Sequence, residues 1–205
     1  MSDPKMPEGL WQPRSVEETM EIYADWATRY DADLIAAGYA TPARVAAALA
    51  AQLSDRAAPV LDFGCGTGLS GMALAEAGFT TLDGIDVSAE MLEQARAKGV
   101  YRDLTLGTPG AVPEARAYAA VVATGVISTG AAPAGVLDDV LAGMAAGALL
   151  ALSFNEAALR ERSYLQALTD AQLDGRVLLL SAEHGPHVPT KDGARSSTVY
   201  VLRRT

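Results

Sequence analysis

Short apolar runs alternate with stretches of helical periodicity over most of the chain. The apolar runs predict strands, because a strand covered on both faces is apolar at nearly every position. Helices are predicted where apolar residues recur three or four positions apart. The predicted strands cover residues 60–63, 80–87, 100–106, 118–127, 148–154, 176–181 and 197–203, and the helices among them cover the stretch that ends at Gly78 and residues 88–99, 133–146 and 155–173.

Two further helices are predicted before the first strand. Ser15 can cap the first of them, and Thr41, a capping residue followed by proline, can cap the second. The residues before Ser15 are rich in proline and predict a loose tail. We therefore expect a single domain over residues 1–205, made of a tail (1–14), capping helices (15–53) and a core (58–205).

The order of these elements predicts the fold class. Strands that alternate with helices favour a parallel sheet covered by helices on both faces. The last two strands have no helix between them, so they pair antiparallel or lie apart. We predict an α/β fold with a Rossmann-like, doubly wound, mostly parallel sheet of about seven strands, an antiparallel C-terminal hairpin and N-terminal capping helices.

Composition and charge restrict the class of partner. The formal net charge is −9 and the basic clusters are short, which disfavours a nucleic-acid ligand. No apolar run reaches the roughly 18 residues that cross a bilayer, and no signal peptide is visible, so no membrane partner is expected. The single cysteine, Cys65, favours a reducing, cytoplasmic location. No metal site is predicted, because His184 and His187 have no second ligand cluster nearby. The oligomeric state stays open.

The stretch VLDFGCGTG, residues 60–68, carries the strongest signal for a ligand site. Gly64, Gly66 and Gly68 lie between a strand and a helix, where glycine lets a ligand approach the backbone closely. A dinucleotide site requires G-x-G-x-x-G, but Leu69 occupies the position of the last glycine. No lysine follows the loop as a P-loop requires. The pattern therefore favours a nucleoside without phosphate, and S-adenosylmethionine is such a ligand.

Two carboxylates accompany this loop. Asp86 ends the next predicted strand, where a carboxylate can accept hydrogen bonds from both ribose hydroxyls. Asp62, within the glycine strand, can serve the cationic methionine end of the ligand. Cys65 lies in the same loop and is predicted to border the cofactor with it, and the absence of a nearby base favours a small loop residue over a nucleophile.

These motifs resemble those of the class I S-adenosylmethionine-dependent methyltransferases. VLDFGCGTG looks like their first motif and GIDVSAEML, residues 84–92, like their second. From Tyr23 to Arg204 the chain also resembles the small methyltransferase-like proteins named for the Williams–Beuren syndrome region, through WATRYD, GVYRDLTLG and ATGVISTGAAP. The resemblance implies one methyltransferase domain that uses S-adenosylmethionine as its cofactor.

The same resemblance assigns roles to individual residues. The three loop glycines would face the methionine portion of the cofactor and Asp86 its ribose. Tyr30, from the N-terminal helices, would close over the cofactor. The remaining positions are Val87 and Met91 against the adenine, Leu106 with Thr105 and Gly107 along its other side, and Thr124 beside the transferable methyl group.

Methyl transfer from a sulfonium is a direct displacement, so alignment and exclusion of water can supply much of the catalysis. A general base is needed only if the acceptor loses a proton, and no catalytic residue is identified from the sequence. His184 and His187 are expected to be exposed loop residues, and Ser128 and Thr129 either line the acceptor pocket or form a turn. Tyr23, Trp26 and Tyr30 are expected to form a packing face, from which a ring can also cover cofactor or substrate.

Three functions are therefore considered. The first is methyl transfer to a small-molecule acceptor, which the paired motifs and the acidic composition favour. The second is a protein-directed methyltransferase, which would require an exposed groove beside Thr124. The third is a non-catalytic module that binds S-adenosylmethionine or S-adenosylhomocysteine without turnover.

Overall fold

The computed structural model describes residues 16–190 and 193–205. From the first strand to the fifth, a helix follows each strand except the third, which is followed directly by the fourth, as the apolar pattern predicts. The elements are α1 (Val16–Ala36), α2 (Thr41–Gln52), β1 (Val60–Phe63), α3 (Leu69–Glu76), β2 (Leu82–Asp86), α4 (Ala89–Lys98), β3 (Asp103–Leu106), β4 (Ala120–Ala123), α5 (Val136–Gly143), β5 (Leu149–Asn155), α6 (Glu156–Arg160), α7 (Arg162–Leu173), β6 (Val177–Thr190) and β7 (Gly193–Arg204).

The strands form one sheet in the order β3-β2-β1-β4-β5-β7-β6. The pairs β1–β2, β1–β4, β2–β3 and β4–β5 are parallel. β7 runs antiparallel to both β5 and β6. The predicted fold class, a mostly parallel doubly wound sheet with a C-terminal antiparallel hairpin, is confirmed. Strand order reverses between β1 and β4, and the carboxyl ends of these strands border the crevice where such sheets bind ligands.

The sheet is buried on both faces. Successive residues of a strand point to opposite faces, and β4 shows this directly. Val121 and Ala123 belong to one apolar cluster, and Ala120 and Val122 belong to the other. All seven residues of β5 are buried. This packing explains why the central strands are apolar at nearly every position.

The N-terminal helices differ in one detail from the prediction. The N-cap of α2 is Ala40, and Thr41 makes no capping bond, so the prediction that Thr41 caps this helix is wrong. Its hydroxyl is buried and bonded instead to His187 and Ser197 across the molecule. The predicted cap Ser15 and the predicted tail lie outside the described residues.

In the described part of the chain no single helix is long and apolar enough to cross a membrane. α1 and α2, bent by 77° relative to each other, pass that test as a pair by length and composition.

Several predicted boundaries are wrong. β3, β4 and α5 are shorter than predicted. The helix predicted over 155–173 is divided in two because Glu161, with φ −86° and ψ 114°, has an extended backbone. Residues 182–190, predicted as a loop, continue β6. β6 is the edge strand, where a proline does not interrupt a central ladder, and its register shifts between Pro186 and Val188.

Candidate functional site

The glycine loop follows β1 at the centre of the sheet. Gly64, Gly66 and Gly68 have φ values of 69°, 55° and 92°, which lie in the left-handed region that favours glycine. The backbone N–H groups of Gly64 and Cys65 both donate to the carbonyl oxygen of Ile85 in β2. A side chain added at Gly66 would meet no atom within 4 Å. At Gly66 the loop therefore presents its backbone to an open space.

Asp86 ties this loop to the end of β2. Its carboxylate accepts hydrogen bonds from the N–H groups of Gly66 at 2.8 Å and Ser88 at 3.0 Å. Burial raises the pKa of Asp86, and these backbone bonds act in the opposite direction. An ionised carboxylate has about four acceptor positions, so Asp86 retains capacity for further donors. Ser88 caps α4 by accepting from Met91 N–H, as predicted.

Asp62 is buried beneath the loop. Its Oδ2 accepts from the hydroxyls of Ser70 at 2.6 Å and Tyr101 at 2.7 Å. Its Oδ1 is buried and has no partner among the described residues. Burial raises the pKa of Asp62 to about 6, although both hydroxyl bonds lower it. Asp62 thus offers one free acceptor oxygen.

Sequence analysis did not identify Tyr101 as part of this site. Its ring fits where Gly68, Gly71 and Gly84 have no side chains. A methyl group at Gly71 would overlap the Tyr101 ring, and one at Gly84 would lie 3.2 Å from it. Gly71 lies inside a helix and Gly84 inside a strand. Glycine at such positions is the sequence signal that another group, here the Tyr101 ring, approaches the backbone closely.

The other predicted cofactor residues lie at the carboxyl ends of the parallel strands. Leu106 is the register partner of Asp86 and is 59% exposed. Val87 is half-buried, and Met91 is buried. Thr124 follows β4, and its Oγ1 is buried with no partner among the described residues. The structure brings the predicted residues to one edge of the sheet, and their contact with a cofactor stays a prediction.

Cys65 is buried in the loop. Burial, and the nearby carboxylates of Asp62 and Asp86, raise the pKa of its thiol. The thiol is therefore protonated at neutral pH and is a poor nucleophile. This environment agrees with the interpretation of Cys65 as a small loop residue.

The helix α1 lies directly over the glycine loop. Asp31 accepts from the Thr67 hydroxyl at 2.5 Å and pairs with Lys98 at 2.5 Å. Lys98 also donates to the Thr67 carbonyl oxygen. The neighbouring residue, Tyr30, has a pKa raised by burial and by the phenols of Tyr23 and Tyr39. These contacts join α1, the loop and α4 at a single point.

A cavity of about 60 Å³ lies between α1, the end of β4 and the β6 strand. The predicted aromatic face of α1 forms one wall, with Trp26 and Tyr30 ring centroids 4.6 Å apart. Ser128 and Thr129 line the cavity. The sequence had left open whether these two residues line an acceptor pocket or form a turn. The complete lining is Tyr23, Trp26, Tyr30, Leu34, Tyr39, Thr124, Gly125, Ser128, Thr129, Gly130, Ala131, Asn155, His187 and Val188.

The two histidines do not lie in a loop. Both belong to β6, and the prediction that His187 is exposed is wrong, because it is 7% exposed and lines the cavity. Its ring stands edge-on to Tyr39, with centroids 5.1 Å apart. Burial, with the positive charges of Arg195 and Arg44, lowers the pKa of His187 to about 4. His184 is exposed and bonded to Thr198, which agrees with its predicted exposure.

No group of three or more potential metal ligands occurs among residues 16–190 and 193–205.

Solved structures share this fold at low sequence identity. Magnesium protoporphyrin IX methyltransferase from Synechocystis PCC 6803, solved with bound S-adenosylmethionine, is 19% identical, with a TM-score of 0.66 over 91% of this chain and 97% of that one. The cyclase SpnF is 17% identical, with a TM-score of 0.58 over 79% of this chain and 80% of that one. One fold therefore carries more than one chemistry.

Sequence comparison adds a domain match. Residues 60–146, which run from β1 to just beyond α5, match the family Methyltransf_25, described as a methyltransferase domain. Methyltransferase-like protein 27 of Homo sapiens is 35% identical over 127 residues, which are 60% of this chain and 52% of that protein. This chain thus covers about half the length of that relative. Residues 60–146 therefore match a methyltransferase domain, and they lie in the doubly wound sheet that the sequence motifs predicted.

Proposed function

We propose that this protein transfers a methyl group from S-adenosylmethionine to a small molecule bound in the cavity beside Thr124. The observation that carries the proposal is the position of Thr124. It stands at the carboxyl end of β4, next to the glycine-loop strand, and it also lines the cavity under α1. A cofactor on the loop and an acceptor in the cavity would meet at this residue.

The residues around the loop fit the cofactor. When bound, S-adenosylmethionine supplies a methyl group on a sulfonium, which is already activated for displacement. Asp62 Oδ1 and Thr124 Oγ1 are buried polar atoms without partners among the described residues, and such atoms usually have one. Asp62 would accept from the amino group and Asp86 from a ribose hydroxyl, while the open space at Gly66 leaves room for close approach.

The cover over the cavity favours a small acceptor. Aromatic residues of α1 line the cavity beside Thr124, on the side that a protein substrate would need as an open groove. A cavity of about 60 Å³ is far below the ~300–1,000 Å³ of ligand pockets, so α1 must move to admit ligands. Closure after binding would exclude water and align acceptor and donor, which is the main requirement of this displacement.

Calorimetric titration of S-adenosylmethionine and S-adenosylhomocysteine into stripped protein is the first test. We expect micromolar binding to the wild type and a loss of at least about tenfold in Asp86→Asn, because one acceptor and the charge are removed. Asp103→Asn, an exposed carboxylate on the neighbouring strand β3, is the matched control and should bind normally. Thermal unfolding of both variants checks that the fold is intact.

Turnover is tested next, with radiolabelled S-adenosylmethionine and metabolite pools separated from protein. Label in a small-molecule fraction would support the proposal, and label in protein fractions would favour a protein-directed enzyme instead. Tight cofactor binding without any transfer would favour a non-catalytic module. The cytoplasmic location and the absence of nucleic-acid and membrane partners stay predictions.

A further inference from the structure

His187 is a buried polar side chain that the predicted mechanism does not use. It is 7% exposed and lines the cavity together with Thr124. Its Nδ1 lies 2.8 Å from the Thr41 hydroxyl, which does not line the cavity. Nδ1 is thus engaged outside the cavity, which leaves Nε2 as the ring nitrogen that can face it.

A chain of buried hydroxyls fixes the position of the imidazole proton. Arg44 donates to Ser197 Oγ at 2.9 Å, and Ser197 Oγ lies 3.0 Å from Thr41 Oγ1. A guanidinium has donors only, so Ser197 accepts from Arg44. If Ser197 donates to Thr41 and Thr41 donates to Nδ1 of His187, every hydroxyl proton of this chain of bonds has an acceptor. In that arrangement Nδ1 is the acceptor, and the neutral ring carries its proton on Nε2.

The one hydrogen bond that the His187 ring makes in the described part of the chain is at Nδ1. Nε2 is not among the fully buried polar atoms without a partner, so it borders open space and is available to a ligand. Burial also lowers the pKa of His187 to about 4, which keeps the ring neutral at pH 7. Nε2–H is therefore a permanent, uncharged donor beside the cavity.

The remaining lining restricts what the donor can meet. None of the residues that line the cavity is Lys, Arg, Asp or Glu, so a charged ligand would have no counter-ion there. The rings of Tyr23, Trp26, Tyr30 and Tyr39 offer flat apolar surface. A flat, uncharged body with one accepting oxygen matches both features.

We infer that His187, as the Nε2–H tautomer, selects the methyl acceptor by donating to its oxygen, and that the acceptor is a small, uncharged, flat molecule with a carbonyl-type oxygen. This inference rests on the proposed function, because it takes the bound molecule to be the methyl acceptor. The donor itself is a property of the protein alone. His187 is thus a specificity-determining residue.

The tautomer is measured without any ligand. Two-bond ¹H–¹⁵N correlation spectra of the ¹⁵N-labelled full chain at pH 7 report the proton position, and the chain has only two histidines. His184→Gln removes the other signal set, which leaves that of His187. We expect the single Nε2–H pattern, and we expect Thr41→Val to lose it. An Nδ1–H pattern or a charged ring would overturn the inference, whether or not S-adenosylmethionine binds.

The ligand class is measured with two probes of one shape, acetophenone and α-methylstyrene, with and without S-adenosylhomocysteine. We expect acetophenone to bind about tenfold more tightly and to shift the His187 Nε2 signal, because only its oxygen accepts the bond. His187→Phe should lose this preference, and His184→Gln should retain it. Equal affinity, or no binding of either probe, would overturn the assigned ligand class. Failure of S-adenosylhomocysteine to bind would instead count against the proposed function.

Discussion

The carboxylate of Asp62 lies at the end of β1 with no exposure to solvent. Burial raises its pKa from 3.8 to about 6, while bonds from Ser70 and Tyr101 lower it. A folded-state pKa above the unfolded value means that the native protein binds the proton more tightly. The stability from this proton is complete below about pH 4 and is lost as the pH rises through about 6.

We expect Asp62→Asn to remove this dependence. The free energy of unfolding of the variant, measured relative to wild type, should increase by about 2.5 kcal/mol between pH 4 and pH 7.5. Urea unfolding across this range measures the change, and any constant cost of the amide cancels. A difference that stays constant with pH would contradict the raised pKa, and Asp103→Asn, at an exposed position, is the control.

At the scale of elements, the Tyr101 ring joins α3 to the sheet. We expect Gly71→Ala to lower the free energy of unfolding by about 1–3 kcal/mol, because the new methyl group overlaps this ring. Gly135→Ala, where the methyl group meets nothing within 4 Å, should change it by less than about 1 kcal/mol. Urea unfolding of both variants makes the comparison, and equal effects would show that the ring moves aside freely.

The attachment of α1 depends on Asp31, which contacts both Thr67 and Lys98. We expect Asp31→Ala to weaken this attachment by about 1 kcal/mol and to increase amide exchange in α1 about fivefold. Asp25→Ala, at an exposed position of the same helix, changes the intrinsic helix propensity by the same amount as Asp31→Ala and should leave amide exchange unchanged. Hydrogen exchange read by mass spectrometry would contradict the interpretation if both variants behaved alike.

At the scale of the whole molecule, cofactor binding and folding are linked. At 100 times its Kd, S-adenosylhomocysteine should raise the free energy of unfolding by about 2.7 kcal/mol. The same concentration should have a smaller effect on Asp86→Asn. Urea unfolding with and without ligand measures both values. An unchanged midpoint for the wild type would contradict a cofactor site in the folded protein.

The local pattern was sufficient to predict much of the fold. Apolar runs predicted β1 and β5 closely, because strands buried on both faces need apolar side chains at nearly every position. The G-x-G-x-G spacing and Asp86 predicted a loop and a carboxylate that the structure joins by a hydrogen bond. β6 was predicted too short, because its glycine and proline residues indicate a loop unless the strand lies at an edge.

The sequence by itself determined the order of the strands and helices along the chain and the glycine loop, and it predicted the class of ligand, because these depend on residues near one another in the chain. Only the tertiary structure brought His187 beside Thr41 and Thr124, and Asp31 beside Lys98. Contacts between residues 67 or 146 positions apart leave no local pattern. Burial then decided the chemistry, since it lowers the pKa of His187 and keeps the ring neutral at pH 7.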